Sequence, residues 1–248
     1  MTPLRLPQPL AHKLDHLRSL PGRQLSKLLA SRRGASLRTQ ELWLTNRSGY
    51  RIEACLHEPD DGLMRPAVLL VPGANQSGHS FCGLGGLVAA DELATLGLRV
   101  LHFAPLGRGG SWGHDDYCGL QGQDSCRAAL ECLHSARGVD PDRVVVVAFS
   151  LGLALAAPVL AEHGERLGTH ALIDWEGTEN RGSMEALGAL PPAAEAARQK
   201  DPERFWALRD PETVLDKLPC QHIPLRGGRS RAESNRLLRG QLRDLLEL

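Results

Sequence analysis

The stretch DRVVVVAFSLGLALAAPVL (Asp142–Leu160) decides how the chain is read. Four consecutive valines, Val144 to Val147, run through Ala148 and Phe149 into Ser150. A leucine- and alanine-rich run of helical character follows at once. Continuous rather than alternating apolarity predicts a strand covered on both faces. A helix that begins directly after such a strand needs a tight reversal, and Ser150 sits at its apex. The residues two before and two after approach each other, so both must be small, and here they are Ala148 and Gly152. The pattern differs from G-x-S-x-G only by alanine at the first place. Such a turn lifts the serine hydroxyl above the sheet, and the amides of the helix start favour negative charge beside it. The competing reading is that Ser150 simply caps the helix.

Working outward, RPAVLLVPGANQSG is another continuous apolar strand, stopped by Pro72-Gly73. Helix then strand recurs in AADELATLGLRVLHFAPLG and again in DSCRAALECLHSARGVDPDRVVVVAFS, and THALIDWEG adds one more strand. Strands alternating with helices imply right-handed crossovers and a mostly parallel, doubly wound sheet. ELWLTNRSGYRIEACLHEP alternates polar and apolar residues about a turn at Asn46–Gly49, and so predicts an antiparallel hairpin at the N-terminal edge. Ligands of such sheets sit beyond the carboxyl ends of the strands. The loop Pro72-Gly73-Ala74-Asn75 therefore faces the Ser150 turn. The amides of Ala74 and Leu151 are the candidate pair of donors for an oxyanion. From Arg181 to Leu218 the sequence turns to short helices, two of them opened by Asp-Pro. Phe205 and Trp206 in this cap offer an apolar wall to the site.

Composition narrows the function classes. The 248 residues carry 29 Lys+Arg against 29 Asp+Glu, so no overall basic excess points to nucleic acid. Residues 1–36 form a basic appendage, with Leu10, Leu14 and Leu17 at helical spacing; a helix packed on the domain and a membrane-surface contact are both open readings. The main domain then spans 37–248. No run approaches the length of a membrane span. Six cysteines without a C-x-x-C pair fit a reduced, cytoplasmic setting with no zinc ribbon. Neither a metal nor a cofactor is expected. The loop Gly107 to Gly119 lacks the lysine of a phosphate cradle, and His114, Asp115 and Asp116 read as solvated loop residues rather than metal ligands. Cys82 reads as a small buried thiol.

Taken together, LLVPGANQSG, LGRGGSWGHDDY, DPDRVVVVAFSLG, ALIDWEG and FWALRDPETVLDKLPC resemble, in this order, the α/β-hydrolases. The branch they are similar to is that of the dienelactone-hydrolase and prolyl-oligopeptidase-like serine hydrolases. The likeness covers about Glu41 to Cys220. It implies an eight-stranded sheet, Ser150 as nucleophile, oxyanion amides at Ala74 and Leu151, and a cap at about 181–218. The implied activity is hydrolysis of a small-molecule ester or amide through an acyl-enzyme on Ser150.

The likeness fails after Gly227. The family's order is serine, acid, histidine, yet no histidine follows His222. Pro224 weakens the seventh strand, and the eighth strand with its histidine loop is missing. What remains for the acid is Asp174, at the end of the sixth strand beside Glu176. For the base it is His222, near the start of the seventh. His79 and His114 precede the serine, while His163 and His170 lie at the wrong end of the sheet. Leu238, Leu242 and Leu245 mark the arginine-rich tail 227–248 as a terminal helix. So abrupt a change is what a truncation or a shifted reading frame leaves. The alternative function is thus a hydrolase fold without efficient catalysis, serving as a binding module or surviving as a remnant.

Overall fold

The valine run lies in the middle of a seven-stranded sheet. A computed structural model describes residues 36–83, 88–227 and 231–248. The strands are β1 (Leu37–Thr45), β2 (Arg51–Pro59), β3 (Arg65–Val71), β4 (Arg99–Phe103), β5 (Val139–Phe149), β6 (Thr169–Trp175) and β7 (Gln221–Leu225). Their order across the sheet is β1-β2-β4-β3-β5-β6-β7. β1 and β2 form the antiparallel hairpin, β2 joins β4 antiparallel, and every later pairing is parallel. The hairpin turn is fastened by Asn46, whose Oδ1 accepts from the Tyr50 amide at 2.9 Å, while Gly49 supplies a φ of 82°.

Why the apolar run is unbroken is visible in the packing. Val144 and Val146 face one layer, with α2 (Leu120–Ser135) and α3 (Leu153–His163). Val145 and Val147 face the other, with α1 (Ala90–Ala94) and a C-terminal helix. All four are buried. Between β6 and β7 run α4 (Arg181–Glu185), α5 (Pro192–Lys200) and α6 (Pro202–Ala207). Asp201 caps the last of these by accepting from the Arg204 amide.

The structure departs from the sequence reading at several places. β7 forms despite Pro224 because it is the outermost strand, where one face of the ladder needs no donor. The sheet has seven strands, in line with the eighth strand that the sequence reading finds missing, and no eighth is found among the described residues. In its place the tail makes α7 (Arg231–Leu246), which buries Leu238, Leu242 and Leu246 against the layer of Val68, Leu93 and Val145. Phe205 and Trp206 do not wall a cleft; they are core residues, with Trp206 edge-on to Tyr117. Asp115 and Asp116 are not solvated loop acids. Asp115 pairs with buried Arg108, and Asp116 accepts from the Gly119, Gln121 and Gly122 amides at the start of α2. Cys82, read as buried, is exposed. The appendage 1–36 lies outside the described residues except for Ser36, whose carbonyl accepts from the Asp60 amide.

The docking of α7 sets a measurable term. Leu242→Ala leaves a cavity in a fully buried position and lowers stability by about 2–5 kcal/mol, read from the midpoint of urea unfolding. Exposed Leu237→Ala is expected to shift it by no more than about 0.5 kcal/mol.

Candidate active site

At the end of β5 the chain reverses through the short 3-10 turn Ser150–Gly152 before α3 begins. Ser150 holds a φ of 49°, left-handed backbone that costs a non-glycine residue on the order of 1 kcal/mol. The reversal is forced by close packing. A Cβ on Gly152 would lie 2.7 Å from the Val71 carbonyl oxygen and 2.8 Å from that of Pro72. A Cβ on Gly73 would lie 2.9 Å from the Phe149 oxygen and 3.2 Å from Ser150 Cβ. The ends of β3 and β5 thus touch, backbone on backbone. Ser150 makes no side-chain capping bond to the helix that follows, so the capping alternative is not what the geometry shows.

The hydroxyl-bearing turn borders a cavity of about 270 Å³ lined by Gly73, Ala74, Gln76, Phe149, Ser150, Trp175, Glu176 and Ser234. Ser150 and Ala74 are therefore brought together, as the sequence placed them, whereas Leu151 is wholly buried behind them. The loop carrying Ala74 is a tight turn. Gln76 Oε1 accepts from the Gly73 amide at 3.0 Å, and Asn75 has a φ of 54°. Arg108 fixes this turn from below: its Nη1 donates to the Gly73 carbonyl at 2.8 Å. Arg108 is itself 8% exposed and makes a two-pronged pair with Asp115, at 2.6 and 3.2 Å. Burial works against its charge, but the Asp115 carboxylate outweighs that and holds the guanidinium pKa above its ordinary value.

Asp174 and His222 are brought together, but not with Ser150. Neither lines the Ser150 cavity. Asp174 is fully buried and does what an aspartate after a strand does locally: it accepts from the Gly177 amide at 2.8 Å. Its other oxygen accepts from Arg226 Nη2 at 2.9 Å. That bond, the largest influence on Arg226, raises the guanidinium pKa. His222 Nε2 stands 3.5 Å from the same Asp174 oxygen without making a hydrogen bond. His222 is the second residue of β7, far down the strand from its carboxyl end. Of the two acids at the end of β6, the one bordering the cavity is Glu176, carried there by a φ of 50°. It is the sole titratable side chain among the described lining residues. His79 pairs with Glu53 at 3.6 Å, and neither it nor His114, His163 or His170 lines the cavity. Among the described residues no imidazole is hydrogen-bonded to Ser150.

Gln76, Arg108, Trp175 and Ser234 are site residues that the sequence reading missed. Arg108 carried a faint signal, as the only arginine in a glycine-rich loop after a strand. Ser234 carried none, since it belongs to the tail that departs from the family pattern.

The chain was compared with known proteins. No protein-family model matches it, and no curated protein matches its sequence. Solved structures do match in fold. The esterase Est22 superposes with a TM-score of 0.58, at 15% identity over 97% of this chain and 89% of that one. An acetyl xylan esterase from Paenibacillus sp. R4 gives 0.57, at 13% identity over 88% and 82%. The α/β hydrolase GrgF from Penicillium sp. sh18 gives 0.60, at 14% identity over 85% and 100%.

Because the neighbours of Gly152 are main-chain oxygens that cannot swing aside, Gly152→Ala is expected to cost about 3 kcal/mol, the upper end for overpacking. Chemical denaturation measures this directly. Arg108→Gln strands the Asp115 carboxylate and is expected to cost about 3 kcal/mol as well.

Proposed function

We propose that this chain, whose fold is that of the α/β-hydrolases, cleaves short-chain esters through an acyl-enzyme on Ser150. One observation carries the reading. Ser150 is a non-glycine residue kept in left-handed backbone at the mouth of a cavity, opposite the Ala74 turn. Strain of this kind persists only where surrounding structure enforces it, and it concentrates at functional sites. The esterases among the structural neighbours are consistent with it, although at such low identity they speak to fold alone.

The chemistry follows from the lining. Ser150 Oγ attacks the ester carbonyl carbon, and a carbon–oxygen bond forms. The Ala74 and Leu151 amides donate to the oxygen that becomes negative; one such donor is worth roughly 10²–10³ in kcat. The serine proton passes to the Glu176 carboxylate, directly or through one water, and leaves with the departing alcohol. Water then repeats the sequence on the acyl-enzyme and frees the serine. A positioned base contributes about 10²–10⁴, and a carboxylate, being a weaker base than an imidazole, sits at the low end. Asp174 has no part in this, since Arg226 neutralises it, and His222 has none either. The cavity volume is below the roughly 300–1,000 Å³ that drug-sized ligands occupy. With Phe149 and Trp175 on its wall it suits an acyl group of few carbons. The six cysteines, none of them in a disulfide, fit a reducing compartment, and we place the protein in the cytoplasm on that ground.

Labelling with a fluorophosphonate probe tests the assignment. We expect one adduct per chain, absent in Ser150→Ala, with a rate about 100-fold lower in Glu176→Gln. The rate should also lack the inflection near pH 6.5 that a histidine base produces. A folded protein that takes up no probe would contradict the reading and leave the cavity as a binding site. Hydrolysis of p-nitrophenyl butyrate should be lost in parallel with labelling.

A further inference from the structure

A second cluster of reactive side chains lies on β2 and β4, on the far side of β3 from the Ser150 turn, on residues the hydrolytic site does not use. β2 carries Cys55 and His57, two apart and so on one face. The antiparallel register sets Cys55 directly opposite His102 on β4. Their donor atoms converge. Cys55 Sγ is 3.5 Å from His57 Nε2, and His57 Nε2 is 3.1 Å from His102 Nε2. All three residues are buried, at 9%, 7% and 4% exposure. One ligand atom from each lies within 4.8 Å of the others. A fourth donor arrives from the 3-10 turn Gly78–Phe81, which lies over His102 because residue 78 is glycine. A Cβ there would be 2.7 Å from His102 Nδ1. The turn delivers Cys82 Sγ to 3.6 Å from His102 Nε2.

We propose that Cys55, His57 and His102 bind one Zn²⁺ ion, and that Cys82, which stands beside His102 but outside the converged trio, moves in as the fourth ligand. Zinc bonds of about 2.3 Å to sulfur and about 2.0–2.1 Å to nitrogen make tetrahedron edges of about 3.3 Å between nitrogens and about 3.5 Å between nitrogen and sulfur. The His57–His102, Cys55–His57 and Cys82–His102 spacings of 3.1, 3.5 and 3.6 Å match three of those edges, and the inward movement of Cys82 completes the set. Two thiolates and two imidazoles are the soft donor set that selects zinc over magnesium or calcium. The outer shell is in place too. Thr39 Oγ1 lies 3.2 Å from His57 Nδ1, and accepting that proton leaves Nε2 with its lone pair toward the metal. His102 Nδ1 has no partner, so Nε2 is the ring's one means of polar satisfaction among the described residues.

Access is through a separate pocket lined by Trp43, Glu53, Cys55, His79, Cys82 and His102, among others, which shares no described residue with the Ser150 cavity. Exposed Cys82 is the ligand that closes over the ion. Binding releases the two thiol protons to solvent and forms two Zn–S bonds, with no change in oxidation state. With four protein ligands the site is structural rather than catalytic. It joins β2 and β4 to the segment that continues the Ala74 turn. The rival account of the same atoms is a plain N–H···N hydrogen bond between His57 and His102.

Titration of the metal-stripped full chain with Zn²⁺ against a chromophoric chelator separates the two. The proposal expects one saturable equivalent and a higher melting temperature when it is filled. Cys55→Ser and His102→Gln should weaken binding by about 100-fold or more, and Thr39→Val, which removes only the outer-shell partner, by about 10-fold. Cys132→Ser, a thiol elsewhere, should leave it unchanged. Co²⁺ in place of Zn²⁺ should give tetrahedral d–d bands and a thiolate charge-transfer band that halves in Cys82→Ser. Absence of saturable binding, or binding that survives both Cys55→Ser and Thr39→Val undiminished, would overturn the site. Where a variant does not fold, as judged by circular dichroism, Thr39→Val decides, because it leaves every ligand in place. None of these readouts depends on ester hydrolysis.

Discussion

The contact on which the site depends is between main chains. Gly152 passes so close to the carbonyls of Val71 and Pro72 that no side chain fits between them. Gly73 passes nearly as close to the Phe149 carbonyl and to Ser150. Because β3 and β5 pair in register from Ala67↔Val144 to Val71↔Ala148, their ends arrive at the same level, and the chain leaving β5 must turn at once. The left-handed backbone at Ser150 is the consequence. So is the direction of its hydroxyl, which is set by sheet register rather than by any hydrogen bond of its own. Arg108 completes the arrangement by tying the Gly73 carbonyl to a buried ion pair.

A second constraint governs what the site lacks. The outer strand β7 places Arg226 beside the end of β6, and Arg226 satisfies the Asp174 carboxylate. An aspartate in that bond is structural. Behind it, α7 packs on one face of the sheet. The same helix brings Ser234 to the cavity wall, so the tail that departs from the family pattern is part of the site and not an addition to it.

Much of this was legible in the sequence, for identifiable reasons. Buried parallel strands announce themselves by unbroken apolar runs, and Val144–Val147 and Ala67–Val71 did so. The turn at Ser150 was legible because its steric demand falls on fixed neighbours, Ala148 and Gly152. The Ala74 loop followed from the rule that sites gather at carboxyl strand ends. The pairings that decide chemistry were not legible. Asp174 meets Arg226 only through the β6–β7 register, across 52 residues of chain. Glu176 rather than Asp174 borders the cavity because of one left-handed residue, which polarity patterns do not encode. Cys55 and His57 read as ordinary members of an alternating strand. Their approach to His102 depends on β2 pairing with β4 and bypassing β3, a crossover that spacing rules such as C-x-x-C do not anticipate.

The central claim is that strand register presents Ser150 to the Ala74 amide across a small cavity, with the Leu151 amide beside it as the second donor. A crystal structure of the fluorophosphonate-treated protein tests it most directly. The account predicts a phosphonyl group on Ser150 Oγ with its free oxygen about 2.7–3.1 Å from both the Ala74 and Leu151 amides. An adduct on another side chain, or a phosphonyl oxygen turned away from those amides into solvent, would contradict it.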